Sequence, residues 1–178
     1  MAASALALLT GATALSKAQN LVVIGGTVFT SPEAEPIENG IVVLNDGRVV
    51  AVGAYDAVTI PTDTKTIDAS GQFVFAGFWN SHTHYTGKLE SVASLPADEA
   101  NQLLADTFLK WGFTNTVDTG SYYLNTVKIG QRIAKGELAG PRILTAAGGF
   151  VPEGGSPFYI APIKLPEFKS ADGARHMV

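Results

Sequence analysis

Cysteine is absent from the 178 residues, so neither a disulfide nor a thiolate metal site is open to this chain. Charge is scarce as well: Asp, Glu, Lys and Arg make up 16%, with a formal net charge of −4. Binding to nucleic acid requires a basic face, so that partner class is set aside. No apolar run reaches the roughly 20 residues that a bilayer-spanning helix needs. The phosphate-binding pattern Gly-x-x-x-x-Gly-Lys-Ser/Thr does not occur, nor does a Gly-x-Ser-x-Gly elbow, so nucleotide cradling and a nucleophilic triad are both unsupported. There is no internal repeat. Hydrophobic residues reach 46%, enough for a sizeable core, and 19 Gly with nine Pro suit a loop-rich β segment followed by tight turns.

Histidine is also rare, with three in the whole chain, and two of them stand at His82 and His84. Side chains at i and i+2 of a strand share a face, so a strand through this segment aims both imidazoles into one space. Two neutral imidazoles converging in this way suit a divalent transition metal. The plainer alternative is a pair of structural histidines at a strand end. The apolar run from Phe75 to Trp79 says that the strand is buried, and Gly77 says that the backbone turns or packs tightly just before it.

Residues 21 to 75 read as short strands separated by turns. Ile41–Leu44 and Val49–Val52 flank Asn45-Asp46-Gly47, whose Asp-Gly is a two-residue hairpin signal. Lys65–Asp68 and Gln72–Phe75 are further strands. From residue 76 the pattern changes to strand then helix, which implies parallel strands. Pro96-Ala97-Asp98-Glu99 opens a helix carrying Leu103, Leu104, Phe108 and Trp111 at helical spacing. A second helix runs from Tyr122 to Lys135 and stops at Gly136. Pro141–Ala146 is a strand, residues 148–166 form a long irregular loop, and Ser170 is the N-cap of a third helix.

Residues 1–18 are Ala-rich, apolar and free of carboxylates, and Ser16-Lys17-Ala18 places small residues around a cleavage point. This reads as a signal peptide and a periplasmic or secreted protein, although no Lys or Arg precedes the apolar stretch. A plain leader on a cytoplasmic protein is the alternative.

The run Phe75-Ala76-Gly77-Phe78-Trp79-Asn80-Ser81-His82-Thr83-His84 resembles the entry motif of the amidohydrolase superfamily, usually Pro-Gly-Phe-Ile-Asp-x-His-x-His. Ala76 replaces the usual Pro, Asn80 the usual Asp, and Trp79 an aliphatic residue; both histidines are kept. Leu21 to Phe29 resembles the family's opening strand, Asn39 to Gly53 its next hairpin, and Ile67 to Gly71 the turn before its barrel. Trp111 to Gly120 is similar to the second barrel strand, with Val117 where Arg is usual, and Gly140 to Thr145 is similar to the third. The likeness runs from residue 21 to 178 and leans toward the imidazolonepropionase-like and prolidase-like branch.

The resemblance implies an α/β chain whose residues 19–75 form a small, incomplete β-sandwich-like domain and whose residues 76–178 begin a metal-dependent hydrolase (β/α)8 barrel. A full barrel takes about 250 residues. At roughly 30 residues per strand–helix unit, the stretch after Phe75 holds about three units of eight. The expectation is therefore the N-terminal part of a longer protein, or a truncated gene product.

His82 and His84 are then the expected ligands of a divalent metal, zinc being the first choice, and the remaining ligands belong to later strands. Asp118, at the end of the second strand, reads either as support for a ligand or substrate group, or as a cap of the following loop. In the loop after the third strand Ser156 stands where the prolidase-like branch often has a substrate-contacting His. His176 reads as an exposed helix residue, and Tyr85 and Trp79 as packing residues. The implied substrate is a small molecule with a C–N bond: an amide, a cyclic amide or a dipeptide. A non-catalytic secreted β-rich binding module is the rival reading.

Overall fold

The computed structural model describes residues 20–162 and 164–177; segment 1–18, which reads as a signal peptide, lies outside them. The chain is mixed α/β and divides between Ala76 and Gly77 into two compact units.

The first unit is built on one sheet. Strand β1 (Leu21–Val28) lies between β2 (Ile37–Asn45) and β4 (Lys65–Asp68), and β3 (Arg48–Ala54) forms the edge beyond β2. A short β5 (Phe73–Val74) continues the parallel pairing along β1. The β2–β3 connection is Asp46-Gly47, with φ of 48° and 73°. Positive φ at both central residues is the primed hairpin turn whose twist matches the strands, as the Asp-Gly signal predicts. Val22, Ile41 and Val43 are buried together, with Ile24, Ala51 and Val58 packed against them. The expected sandwich is represented among the described residues of this unit by a single five-stranded sheet.

The second unit is a parallel sheet with helical crossovers. Strand β6 (Phe78–Thr83) pairs with β7 (Phe113–Asp118), which pairs with β8 (Arg142–Thr145). Between β6 and β7 come a single turn, α1 (Lys88–Ser91), and then α2 (Ala97–Thr107). Helix α3 (Tyr123–Ala134) joins β7 to β8. Asp98 and Glu99 sit in the first turn of α2, where the helix dipole favours negative charge. Ala100 and Leu104 are one turn apart and both buried, continuing to Phe108. They meet Tyr85, Val92, Ile129 and Leu138 in one core. Helix α3 ends in a Schellman turn: Gly136 (φ 73°) N–H donates to Ile133 O at 2.9 Å and Glu137 N–H to Arg132 O at 2.9 Å.

Three details differ from the sequence reading. Trp111 is 62% exposed. Helix α2 stops at Thr107 and a 3-10 turn, Leu109–Trp111, follows; its tighter winding carries the indole off the buried stripe. Phe75, Phe78 and Trp79 are 51%, 49% and 52% exposed, so the apolar run into β6 is not buried as its composition predicts, and Trp79 is not core. The long loop after β8 is partly ordered: β9 (Val151–Pro152) pairs in parallel with β10 (Glu167–Phe168). Ser170 caps α4 (Ala171–Arg175), its hydroxyl accepting from Gly173 N–H at 3.1 Å.

Candidate metal centre

The site is made by the strand ends of β6, β7 and β8. These strands are parallel, so their C-terminal ends lie at one edge of the sheet, where open α/β folds place ligands. Near its end β6 is irregular: Asn80 is opposite Thr116 and Thr83 opposite Asp118, so three steps on β6 match two on β7. The extra residue is a bulge, a device that re-aims side chains. The His82 N–H in this stretch is taken up by Asn80 Oδ1 at 3.2 Å. Thr83 faces inward and donates its hydroxyl to Val117 O at 2.9 Å.

His82 and His84 emerge on the exposed side with their rings inclined at 77° and their Nε2 atoms 3.3 Å apart. Two zinc–nitrogen bonds of about 2.0–2.1 Å at the tetrahedral angle separate their nitrogens by about 3.3–3.4 Å. His84 Nδ1 lies 2.8 Å from Gly120 O. A carbonyl can only accept, so Nδ1 carries the proton and Nε2 presents its lone pair toward His82. This is the arrangement in which an imidazole ligates a metal through one nitrogen while the other is held by a backbone carbonyl. The same separation also suits a hydrogen bond donated by His82 Nε2–H.

In donor type, spacing and tautomer the pair fits a divalent cation. In number it falls short, since catalytic zinc normally has three protein ligands. Among the described residues no group of three or more His, Cys, Asp or Glu is placed to hold a metal.

Asp118 is fully buried. Its Oδ1 accepts from Gly120 N–H at 3.2 Å and from the Ser121 hydroxyl at 2.7 Å, and its Oδ2 from the Thr145 hydroxyl at 3.2 Å. Ser121 Oγ in turn accepts from Tyr85 N–H at 2.7 Å. Tyr85 itself is core, its hydroxyl 2.8 Å from Thr116 Oγ1. Burial pushes this phenol up to about 12; the Thr116 hydrogen bond opposes the rise and the Asp118 charge adds to it.

Ser156 is engaged elsewhere: it accepts from Leu165 N–H at 3.1 Å and donates to Glu167 at 3.3 Å, joining the two ends of its own loop. His176 follows α4 as an exposed residue. An open groove of about 580 Å³, lined by Ser94, Lys128, Arg132 and Lys135 among others, has neither His82 nor His84 in its wall. The sequence reading missed the parts played by Asn80, Gly120, Ser121 and Thr145. Asp118-Thr119-Gly120-Ser121 does carry a turn signal, because an Asp side chain readily accepts from the N–H two residues on.

Part of the chain is similar to a 5-methylthioadenosine/S-adenosylhomocysteine deaminase of Symbiobacterium thermophilum, 39% identical over 67 residues that cover 37% of this chain and 15% of the relative. It is also similar to an imidazolonepropionase of the same organism, 46% identical over 56 residues, 29% of this chain and 13% of the relative. These local likenesses, with the resemblance carried by residues 75–84, support the amidohydrolase superfamily. The fold agrees: a provisionally assigned prolidase from Bifidobacterium longum superposes with a TM-score of 0.69 over 89% of this chain, at 22% identity. This chain spans 37% of that structure and 15% and 13% of the two curated relatives. No family model matches the chain. Among the described residues no helix is long and apolar enough to cross a membrane.

Proposed function

We propose that the chain is the N-terminal portion of a metal-dependent amidohydrolase that cleaves a C–N bond in a small molecule, an amide, cyclic amide or dipeptide-like compound. The observation that carries the reading is the 3.3 Å separation of the His82 and His84 Nε2 atoms, with His84 held by Gly120 O in the ligand tautomer. The names of the relatives support the reaction class, since a deaminase, an imidazolonepropionase and a prolidase all act on carbon–nitrogen bonds.

In this reading β6, β7 and β8 are the first three strands of a (β/α)8 barrel, and the sheet of β1 to β5 is the first part of a small β-sandwich completed by other residues. His82 and His84 hold one divalent cation, zinc by preference, together with ligands from strands beyond these three. Bound there, a cation would supply a lowered pKa for coordinated water, toward about 7, and polarisation of the scissile carbonyl. The chain's own contribution is to aim two imidazoles at one point, keep the His84 proton on Nδ1, and close the floor of the site with Tyr85 and Asp118. Ser156 belongs to the loop that borders the substrate. Residues 1–18 export the protein.

The test is metal content. Full-length enzyme and its His82→Ala/His84→Ala double variant are dialysed against buffered zinc and assayed for bound metal and for amide hydrolysis. The variant is expected to lose both. Equal zinc occupancy in the two proteins would refute the ligand assignment. The 178-residue chain alone is expected to be inactive, because it contributes two of the required ligands.

A further inference from the structure

His84 is gripped at two points, and both lead to the same carboxylate. Its Nδ1–H is held by the carbonyl of Gly120, and the peptide N–H that follows it, that of Tyr85, is held by Ser121 Oγ. Gly120 and Ser121 are in turn fixed by Asp118 Oδ1, which accepts from the amide of the first and the hydroxyl of the second. The second oxygen reaches β8 through the Thr145 hydroxyl. An ionised carboxylate is an acceptor-only group with about four lone-pair sites, so it can gather donors from one strand end and one loop at once. Burying a carboxylate costs free energy, and among the described residues no Lys or Arg forms an ion pair with Asp118.

An imidazole left to itself favours the proton on Nε2, the nitrogen that here faces His82. The loop has to reverse that preference for His84 to offer its lone pair. We propose that Asp118 is the positioning residue of this site: by fixing Gly120 and Ser121 it holds His84 as the Nδ1–H tautomer with Nε2 free to bind a divalent cation. The consequence for metal binding rests on the function proposed above; the consequence for the tautomer does not.

The distinction sets the experiment. The chain is labelled with 15N-histidine, and long-range proton–nitrogen correlations are recorded without metal, at a pH where imidazoles are neutral. Wild type, Asp118→Ala, Asp118→Asn and Ser121→Ala are compared, and the full-length enzyme carrying the same substitutions is titrated with Zn2+ alone in parallel. Wild-type His84 is expected as the Nδ1–H form. Asp118→Ala is expected to shift it toward Nε2–H and to weaken zinc binding about 10- to 100-fold. Asp118→Asn is expected to restore the tautomer, because an amide oxygen still accepts from Gly120 and Ser121 while the amide nitrogen donates to Thr145. A packing role alone would leave the His84 nitrogen shifts unmoved.

Should Asp118→Ala fail to fold, Ser121→Ala keeps the carboxylate and decides the matter through a partial loss of the Nδ1–H form. Retention of the wild-type tautomer and zinc affinity in every folded variant would overturn the proposal. A tautomer shift with no change in zinc binding supports the positioning role and counts against the metal reading instead.

Discussion

The hydroxyls of Tyr85 and Thr116 lie 2.8 Å apart, and both residues are completely buried. Tyr85 follows directly on His84, so the residue that anchors the segment of the two histidines to the core does so through a polar contact inside an apolar cluster. Removing the hydroxyl leaves Thr116 Oγ1 buried without this partner, a loss of about 1–2 kcal/mol. Tyr85→Phe is therefore expected to lower the urea midpoint with an unchanged slope.

The same phenol makes stability depend on pH in the alkaline range. Its ionisation is raised from 10.0 to about 12 by burial. The unfolded chain gives up this proton first, so the stabilising contribution is complete below pH 10 and is lost as pH climbs from about 10 toward about 12. At about 1.4 kcal/mol per pH unit, wild type loses of the order of 2 kcal/mol more than Tyr85→Phe across that window. Urea unfolding of both proteins at pH 9 and pH 11.5 measures the difference; parallel pH profiles would contradict it.

Gly77 stands immediately before β6, where a Cβ would come within 2.0 Å of Thr114 Oγ1 and 2.7 Å of Thr114 Cβ. Nothing larger than hydrogen fits without moving β7. Gly77→Ala is expected to destabilise the second unit by about 1–3 kcal/mol, the usual range for overpacking. A Thr114→Gly second change should recover the part of that loss due to the clash, whereas Thr114→Ala, which keeps its own Cβ, should recover less. Thermal unfolding of the single and double variants reads the coupling.

Gly77 also illustrates how much of the molecule could be read from the chain. Local signals with one physical meaning were legible: the Asp46-Gly47 hairpin, the Ser170 cap and the stop at Gly136 all stand in the structure where they were expected. Features that depend on a partner distant in sequence were not. His84 and Gly120 are 36 positions apart, and nothing local to either says that a carbonyl will meet an imidazole. Trp111 fits the helical stripe of α2 by spacing, yet the helix changes winding before reaching it. Asp118 reads equally as a loop cap and as support for a ligand, and the hydrogen bonds show it making the loop contacts from which His84 is reached.

The Asp46-Gly47 turn offers a second backbone test, independent of the site. Both residues are in the left-handed region, at φ 48° and 73°. An L-residue pays about 1–2 kcal/mol there, while Asn and Asp offset part of that through local hydrogen bonds. Gly47→Ala is expected to cost about 1 kcal/mol, and Asp46→Asn to be close to neutral. Chemical denaturation of the two variants separates them, and equal effects would mean that turn geometry does not limit this sheet.

Thr126 supplies a change in the opposite direction. It lies in α3 one turn before Ile129 and is buried, and its Oγ1 has no hydrogen-bond partner among the described residues. A buried hydroxyl without a partner carries a desolvation cost of about 1–3 kcal/mol. Valine has nearly the same shape and a similar helix propensity, so Thr126→Val removes the cost without opening a cavity. The expected result is a gain of up to about 1 kcal/mol, seen as a rise in melting temperature of a few degrees. A fall instead would mean that a water or an unseen neighbour satisfies the hydroxyl, and that α3 packs on the sheet through a polar contact rather than a purely apolar one.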